Sequence, residues 1–552
     1  VTALAAMRHH ENEDGMSYGA FCLVLHSHLP YFRKSGKWPF GEENLFEAII
    51  GSYLPLINAL ESLADEGIRP RATIGITPIL AEQLADPYLQ EEFISWLQRM
   101  VRVSREDEAR FVSGEEPDLA ALAKRNADEY AQALVDFQRL GPNLLVPLRR
   151  LQERGAVELI TSAATHCFSP LLGEYQSLQS QYAVGVATHE RHFGTTPQGF
   201  WLPECAYRPG IEAFIEQAGL HYFVVENTAI EGGTPAGPAM GLYETVPIVA
   251  EPLPETGLTT LAPYQVTGSQ VTVLGRHRDA SFLVWSAHSG YPGAGVYREF
   301  HKKHEHSGNR YWRLTGRDVE LGDKLPYDPA AARVQVELQA DHFVTVLHEH
   351  LRQYHEETGQ QGILTVPFDT ELFGHWWYEG VEWLKAVWRR LAQDPQVRPM
   401  SVSQALAQHP AKHRIELPVE TSWGAGGTYW TWNNPDVASM WPIIYEAEAE
   451  MVALATEYAD ATEPVDAALT QAARELLLLE SSDWPFLVTT GQAIDWAKGR
   501  FAMHRQRFDL LAKAIRSGDV DMAMVRRIAA EDNPFPEVDW RRYARHDAGA
   551  AG

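Results

Sequence analysis

Short apolar runs alternate with helical patterns through roughly the first 400 residues of this 552-residue chain. Seven runs have strand length: Phe21–Leu25, Ala72–Ile76, Val157–Thr161, Gly199–Leu202, Tyr222–Val225, Phe282–Trp285 and Leu364–Phe368. Helical stretches such as Leu45–Glu66 and Ile211–Ala218 lie between them. Alternation of this kind predicts an α/β fold on a parallel sheet, whose strands are covered on both faces and so are apolar throughout. Between the second and third runs, residues 86–153 form one long charged helical region. That is too much helix for a single connection, and it predicts a helical insertion. Strand signals stop after about residue 410, where Ile444–Ala459, Val465–Leu479 and Gln492–Ile515 carry helical patterns. The expected organisation is a disordered extension over 1–15, an α/β unit over 16–410 and a C-terminal helical domain over 411–552. Gly232–Gly257, rich in Gly and Pro, is the most linker-like segment.

Two of the strand candidates end on carboxylates. Leu364–Phe368 runs into Asp369-Thr370-Glu371-Leu372-Phe373-Gly374-His375-Trp376-Trp377. Gly199–Leu202 runs into Pro203-Glu204-Cys205-Ala206-Tyr207, with Trp201 just before the acid. An acid at the C-terminal end of a parallel strand is presented to the ligand side of the sheet. Apolar surroundings raise the pKa of an acid that must hold a proton. Glycoside chemistry needs two carboxylates, one as nucleophile or base and one to protonate the leaving oxygen. Glu204 and Asp369 meet that description. The bland alternative is a pair of strand ends with a capping Asp and core aromatics.

With these segments in view, the chain resembles glycoside hydrolase family 57, and within it the α-1,4-glucan branching enzymes. Five motifs carry the resemblance, in order: His26-Ser27-His28-Leu29-Pro30-Tyr31; Gly155 to His166; Trp201-Leu202-Pro203-Glu204; Phe368 to His375; and Ser422-Trp423-Gly424-Ala425-Gly426-Gly427 leading to Trp430-Thr431-Trp432-Asn433. The segment Lys37-Trp38-Pro39-Phe40-Gly41-Glu42-Glu43 points to the branching subgroup. The resemblance implies a distorted, incomplete seven-stranded β/α barrel, Glu204 as nucleophile and Asp369 as general acid/base. It also implies Trp38, Trp285, Trp423 and Trp432 as substrate contacts. The family's branching enzymes carry a Tyr-tipped loop over the active site. Its Tyr-Ala-Pro stands here as Leu261-Ala262-Pro263, leaving Tyr243 and Tyr264 both open as the functional Tyr.

The remaining candidates are weighed residue by residue. His26 and His28, two apart on a strand, share one face. With His166 they suit hydrogen bonding to sugar hydroxyls; a zinc site or core histidines are the alternatives. His375, Trp376 and Trp201 flank the acids and are read as substrate contacts, the indoles as sugar platforms. Glu371, two residues after Asp369, is the alternative proton donor but is read as outside the catalytic pair, and Glu158 as structural. The net charge of −26 argues against nucleic acid or an anionic membrane as partner, while a neutral α-glucan such as amylose or glycogen is indifferent to it. Three cysteines and a polar first 15 residues fit a cytoplasmic protein. No apolar run approaches membrane-spanning length.

The activity expected is therefore cleavage of α-1,4 and formation of α-1,6 glucosidic linkages through a covalent glycosyl-enzyme, with no metal or organic cofactor. An amylase-type hydrolase or 4-α-glucanotransferase is the runner-up. A silent glucan-binding protein and a metal-dependent deacetylase on a similar barrel are readings from other classes.

Overall fold

The computed structural model describes residues 17–235, 251–285 and 290–545. Ten strands join one sheet: β1 (Gly19–Ser27), β2 (Ala72–Ile76), β3 (Val157–Ser162), β4 (Gly199–Trp201), β5 (Tyr222–Val225), β6 (Tyr264–Val266), β7 (Thr272–Gly275), β8 (Gly362–Asp369), β9 (Val397–Pro399) and β10 (His413–Ile415). The order is β10-β6-β7-β5-β4-β3-β2-β1-β8, with β9 also pairing with β1. All pairings are parallel except β6 with β7. Seven strands was too few: six of the seven expected runs are strands, and the other four, β6, β7, β9 and β10, are three or four residues long and carry too little pattern to read. The run β7-β5-β4-β3-β2-β1-β8 is parallel throughout, and every residue of β1 and β2 is buried, as a sheet covered on both faces requires.

The expected strand Phe282–Trp285 is instead the end of a helix, Arg278–Trp285. Four apolar residues are too few to tell the two periods apart. His277 starts this helix by accepting the Ala280 N–H on its ring Nδ1 at 3.3 Å. The helix lies along the seam between β7 and β8. There the Ile363 N–H donates to the Leu261 carbonyl and the His277 N–H to the Thr365 carbonyl, both at 2.8 Å. Pro367 is tolerated in β8 for the same reason. Ile363 bonds toward the seam and Gly362 toward Tyr18 on the β1 side, so by alternation Pro367's missing N–H faces the seam.

The inserted region forms helices Pro87–Ser113, Pro117–Leu140 and Leu145–Glu153. Asp86 caps the first by accepting the Leu89 N–H, with Pro87 at the first helical position. Beyond β10 come helices Met440–Glu457, Val465–Leu479, Asp483–Thr489 and Ile494–Ser517. These helices share one apolar core with Phe200, Leu202, Phe223 and Val225 of the sheet region. The helical part is therefore not a separate globule, and its turns reach the strand ends. Among the described residues no helix is long and apolar enough to cross a membrane.

Candidate active site

The C-terminal strand ends gather the chemistry. His26 lies directly across from Asp369 in the β1–β8 register. Glu204 follows β4 in the short turn Pro203–Cys205, with φ at 61° and Cys205 at 51°. Two consecutive left-handed non-glycine residues are a strained arrangement that needs outside support. The segment after β10 provides it: the Trp423 N–H donates to the Glu204 carbonyl at 3.1 Å, and Tyr207 and Thr421 exchange backbone bonds.

Glu204's carboxylate accepts from the Trp423 indole N–H at 2.9 Å and from the Ser482 hydroxyl at 3.2 Å. Asp369 has no side-chain hydrogen bond from the described residues; it is held by burial beside Glu371 and Glu204. Burial pushes the Glu204 carboxyl up to about 7, against the opposing pull of Trp423 and His28. Burial, then the charges of Glu371 and Glu204, pushes Asp369 well above the usual carboxylate range. The two acids are thus driven apart: Glu204, with two donors, ionises first, and Asp369, with none among the described residues, holds its proton more tightly.

Three imidazoles stack beneath Glu204. The His28 and His166 ring centres are 3.8 Å apart, and those of His26 and His166 4.9 Å. His26 and His166 are buried, and burial, with the charge of His28, lowers both well below the ordinary histidine value. Burial also acts to lower His28, but Asp483, bonded to its Nε2 at 3.0 Å, with Glu204 and Glu371, raises it overall. The neighbouring carboxylates therefore favour the charged form of His28, while burial favours the neutral form of the two rings beside it. His26 and His166 bond each other and lie buried, away from solvent.

Glu371 is closer to the chemistry than expected. Its Oε1 accepts from the Tyr53 hydroxyl and from the His28 backbone N–H, and burial pushes it up to about 7. Tyr53 ends the π-helical turn Ile49–Tyr53, which packs so tightly on Gly374 that a Cβ there would lie 1.8 Å from the Gly51 carbonyl oxygen. Glu158, bonded to Thr73, Tyr222 and Ser403, serves the sheet core.

The aromatic candidates divide. Trp38 is 73% exposed and Trp376 36%, and Trp285 stacks parallel to Trp423 at 5.9 Å. Trp201 and Trp432 are fully buried, Trp201 over His26 and Trp432 between Phe168 and the backbone of Gly424. Neither offers a free face to a sugar ring, which corrects the expectation that both are platforms; indole is simply the largest filler for those gaps. His375 lies against Phe300 and the Glu47–Arg310 ion pair. Tyr264 is buried in β6, its hydroxyl bonded to the Thr259 backbone, which ties it to the core; Tyr243 lies outside the described residues.

Comparison with known proteins adds to this geometry. The family model of glycosyl hydrolase family 57 matches residues 22–418. The chain belongs to this family. A second model, the C-terminal region of 1,4-alpha-glucan branching enzymes, matches residues 443–543. A 1,4-alpha-glucan branching enzyme of Thermococcus kodakarensis is 44% identical over 541 residues, covering 94% of this chain and 78% of that protein. The crystal structure of a family 57 branching enzyme from the same archaeon, in complex with glucose, aligns with TM-score 0.88 and 42% identity over 96% of this chain and 97% of that one. An alpha-amylase of Thermotoga maritima aligns with TM-score 0.82 and 29% identity over 96% and 99%. Within the family frame, the five motifs supply the strand-end residues. Ser482, Asp483 and Tyr53 lie outside all five, and sequence reasoning missed them. The only signal was polar Glu480-Ser481-Ser482-Asp483 breaking an apolar helical stretch.

Among the described residues a single set of three metal-capable side chains occurs, Glu475, His504 and Asp532. It lies in the helical region, where Arg507 already bonds Asp532 and His504 bonds Glu475 at 2.8 Å.

Proposed function

We propose that this chain is a retaining 1,4-α-glucan branching enzyme. Glu204 attacks the anomeric carbon of an α-1,4-linked glucan; the C1–O4 bond breaks and Asp369 gives its proton to the departing O4. Asp369 then takes the proton from a glucan 6-hydroxyl, whose oxygen attacks C1 and releases Glu204, leaving an α-1,6 branch. The observation that carries the reading is the asymmetry of the two acids: among the described residues Glu204 is fixed by two donors, while Asp369 receives none and is pushed up by burial and by the charges of Glu371 and Glu204. Trp38, Trp285, Trp376 and Trp423 supply faces for the glucan. The barrel of residues 16–410 carries both acids, and the helical domain 411–552 closes one wall of the cleft. A cytoplasmic setting is supported by three buried free cysteines.

The second reading is hydrolysis, favoured by the likeness to the Thermotoga amylase. Incubation with amylose, with separate assays for reducing ends and α-1,6 linkages, tests the two. Branching predicts α-1,6 linkages in excess of new reducing ends; reducing ends alone would establish the hydrolase.

A further inference from the structure

The hydrogen bonds beneath Glu204 form a continuous line. Ser482 Oγ lies 3.2 Å from Glu204 Oε1 and 2.9 Å from His166 Nδ1, and His166 Nε2 lies 2.9 Å from His26 Nε2. At the far end His26 Nδ1 is buried, with no partner among the described residues. His166 Nδ1 is itself 3.6 Å from Glu204 Oε1, beyond hydrogen-bond reach, so among the described residues the Ser482 hydroxyl is the link between them.

The chemistry of each group fixes the direction of the line. A carboxylate only accepts, so the Ser482 O–H donates to Glu204. With its proton used, Oγ accepts from the His166 Nδ1–H. His166 is a neutral ring, so its Nε2 is an acceptor and takes the His26 Nε2–H. His26 is neutral too, which leaves a bare lone pair at Nδ1. In the opposite direction, with Glu204 protonated, a buried N–H would sit at His26 Nδ1 with nothing to receive it. Orphaned buried N–H groups are rarer than orphaned lone pairs because they are costlier. The rings have little freedom to escape: Trp201 stacks on His26 at 4.9 Å and His28 on His166 at 3.8 Å. Ser482 is gripped as well, its backbone N–H donating to the His166 carbonyl at 3.1 Å while Ser481 bridges to Cys167.

We propose that Ser482, delivered from the helical region, is a positioning residue that closes a one-way hydrogen-bonded chain from His26 through His166 to Glu204 and holds Glu204 as the anion. The proposal rests on Glu204 being the nucleophile. Its consequence is that the barrel does not make its own nucleophile competent. The same chain holds the carboxylate again when it leaves the sugar in the second half of the reaction. The other groups acting on Glu204 are the Trp423 indole, His28, Asp483 and Asp369.

The test is the pH dependence of kcat/KM on amylose for the full-length Ser482→Ala, Ser482→Thr and Glu204→Gln variants, each checked for fold by thermal melting. Losing one hydrogen bond to a carboxylate raises its pKa by about one unit, so Ser482→Ala shifts the acidic limb upward by about that amount. Ser482→Thr, which keeps the hydroxyl, returns the limb to the wild-type position. An unmoved limb in a folded Ser482→Ala variant, or an equal shift in Ser482→Thr, overturns the proposal. An active Glu204→Gln variant would instead overturn the nucleophile assignment, and the chain with it.

Discussion

Replacing Trp423 by phenylalanine separates two jobs that one side chain performs. The indole N–H donates to Glu204 Oε2 at 2.9 Å, while the ring lies over Trp285 at 5.9 Å and against Trp201 at 5.0 Å. Phenylalanine keeps an aromatic face and removes the donor. A hydrogen bond to a charged group contributes about 1.5–3 kcal/mol, and one pKa unit is about 1.4 kcal/mol, so Glu204 should rise by about one to two units. The sign follows from the mechanism: Glu204 must be ionised to attack, so the acidic limb of kcat/KM moves to higher pH. Well below the wild-type limb the loss is about ten- to a hundredfold, and it disappears at alkaline pH. KM for amylose should stay near the wild-type value in Trp423→Phe and rise in Trp423→Ala, which removes the face as well. The assay is kcat/KM against pH for the three proteins, with α-1,6 linkages counted in each product. A Trp423→Phe profile that overlays the wild type would refute the reasoning. So would a uniform loss at all pH values.

Four other outcomes are expected. Glu204→Gln should abolish turnover on any α-glucan, whereas Asp369→Asn should still be glycosylated by activated aryl glycosides, whose leaving groups need little protonation; exchanged behaviour would mean that the roles are reversed. Glu371→Gln removes a charge that holds Asp369 protonated, so the alkaline limb of kcat/KM should move to lower pH. The same substitution tests linkage. A buried carboxyl raised from 4.5 to about 7 destabilises the fold by roughly 3 kcal/mol once ionised, a penalty absent below its unfolded pKa and complete above its folded one. Glu371→Gln should therefore melt higher at pH 8 and near the wild type at pH 4, and an unchanged melting point at pH 8 would contradict this. Trp432→Ala empties a core site under Gly424, so it should cost about 3–5 kcal/mol in denaturant unfolding, with any activity loss following the loss of fold.

Local pattern determined the parts of this protein that depend on neighbours in the chain. Apolar runs such as Phe21–Leu25 and Leu364–Phe368 must be covered on both faces, so the parallel sheet was legible, and with it the placing of Glu204 and Asp369 at strand ends. The helices within residues 86–153 were legible for the same reason, since long charged stretches with helical period have few other solutions. Tertiary structure decided whatever depends on what lies across the cleft. Phe282–Trp285 is a helix because the β7–β8 seam needs a cover with capped backbone groups, and four residues carry no period to reveal it. Trp432 and Trp423 have the same chemistry nine residues apart, yet one fills a void under Gly424 and the other faces Glu204. Ser482 and Asp483 have no mark of their own, because a serine and an aspartate acquire their role only from the imidazoles that the barrel, more than 300 residues earlier in the chain, sets within hydrogen-bond reach of them. Protonation follows the same division. Sequence names the acids, and burial with neighbouring charge decides which of them keeps its proton.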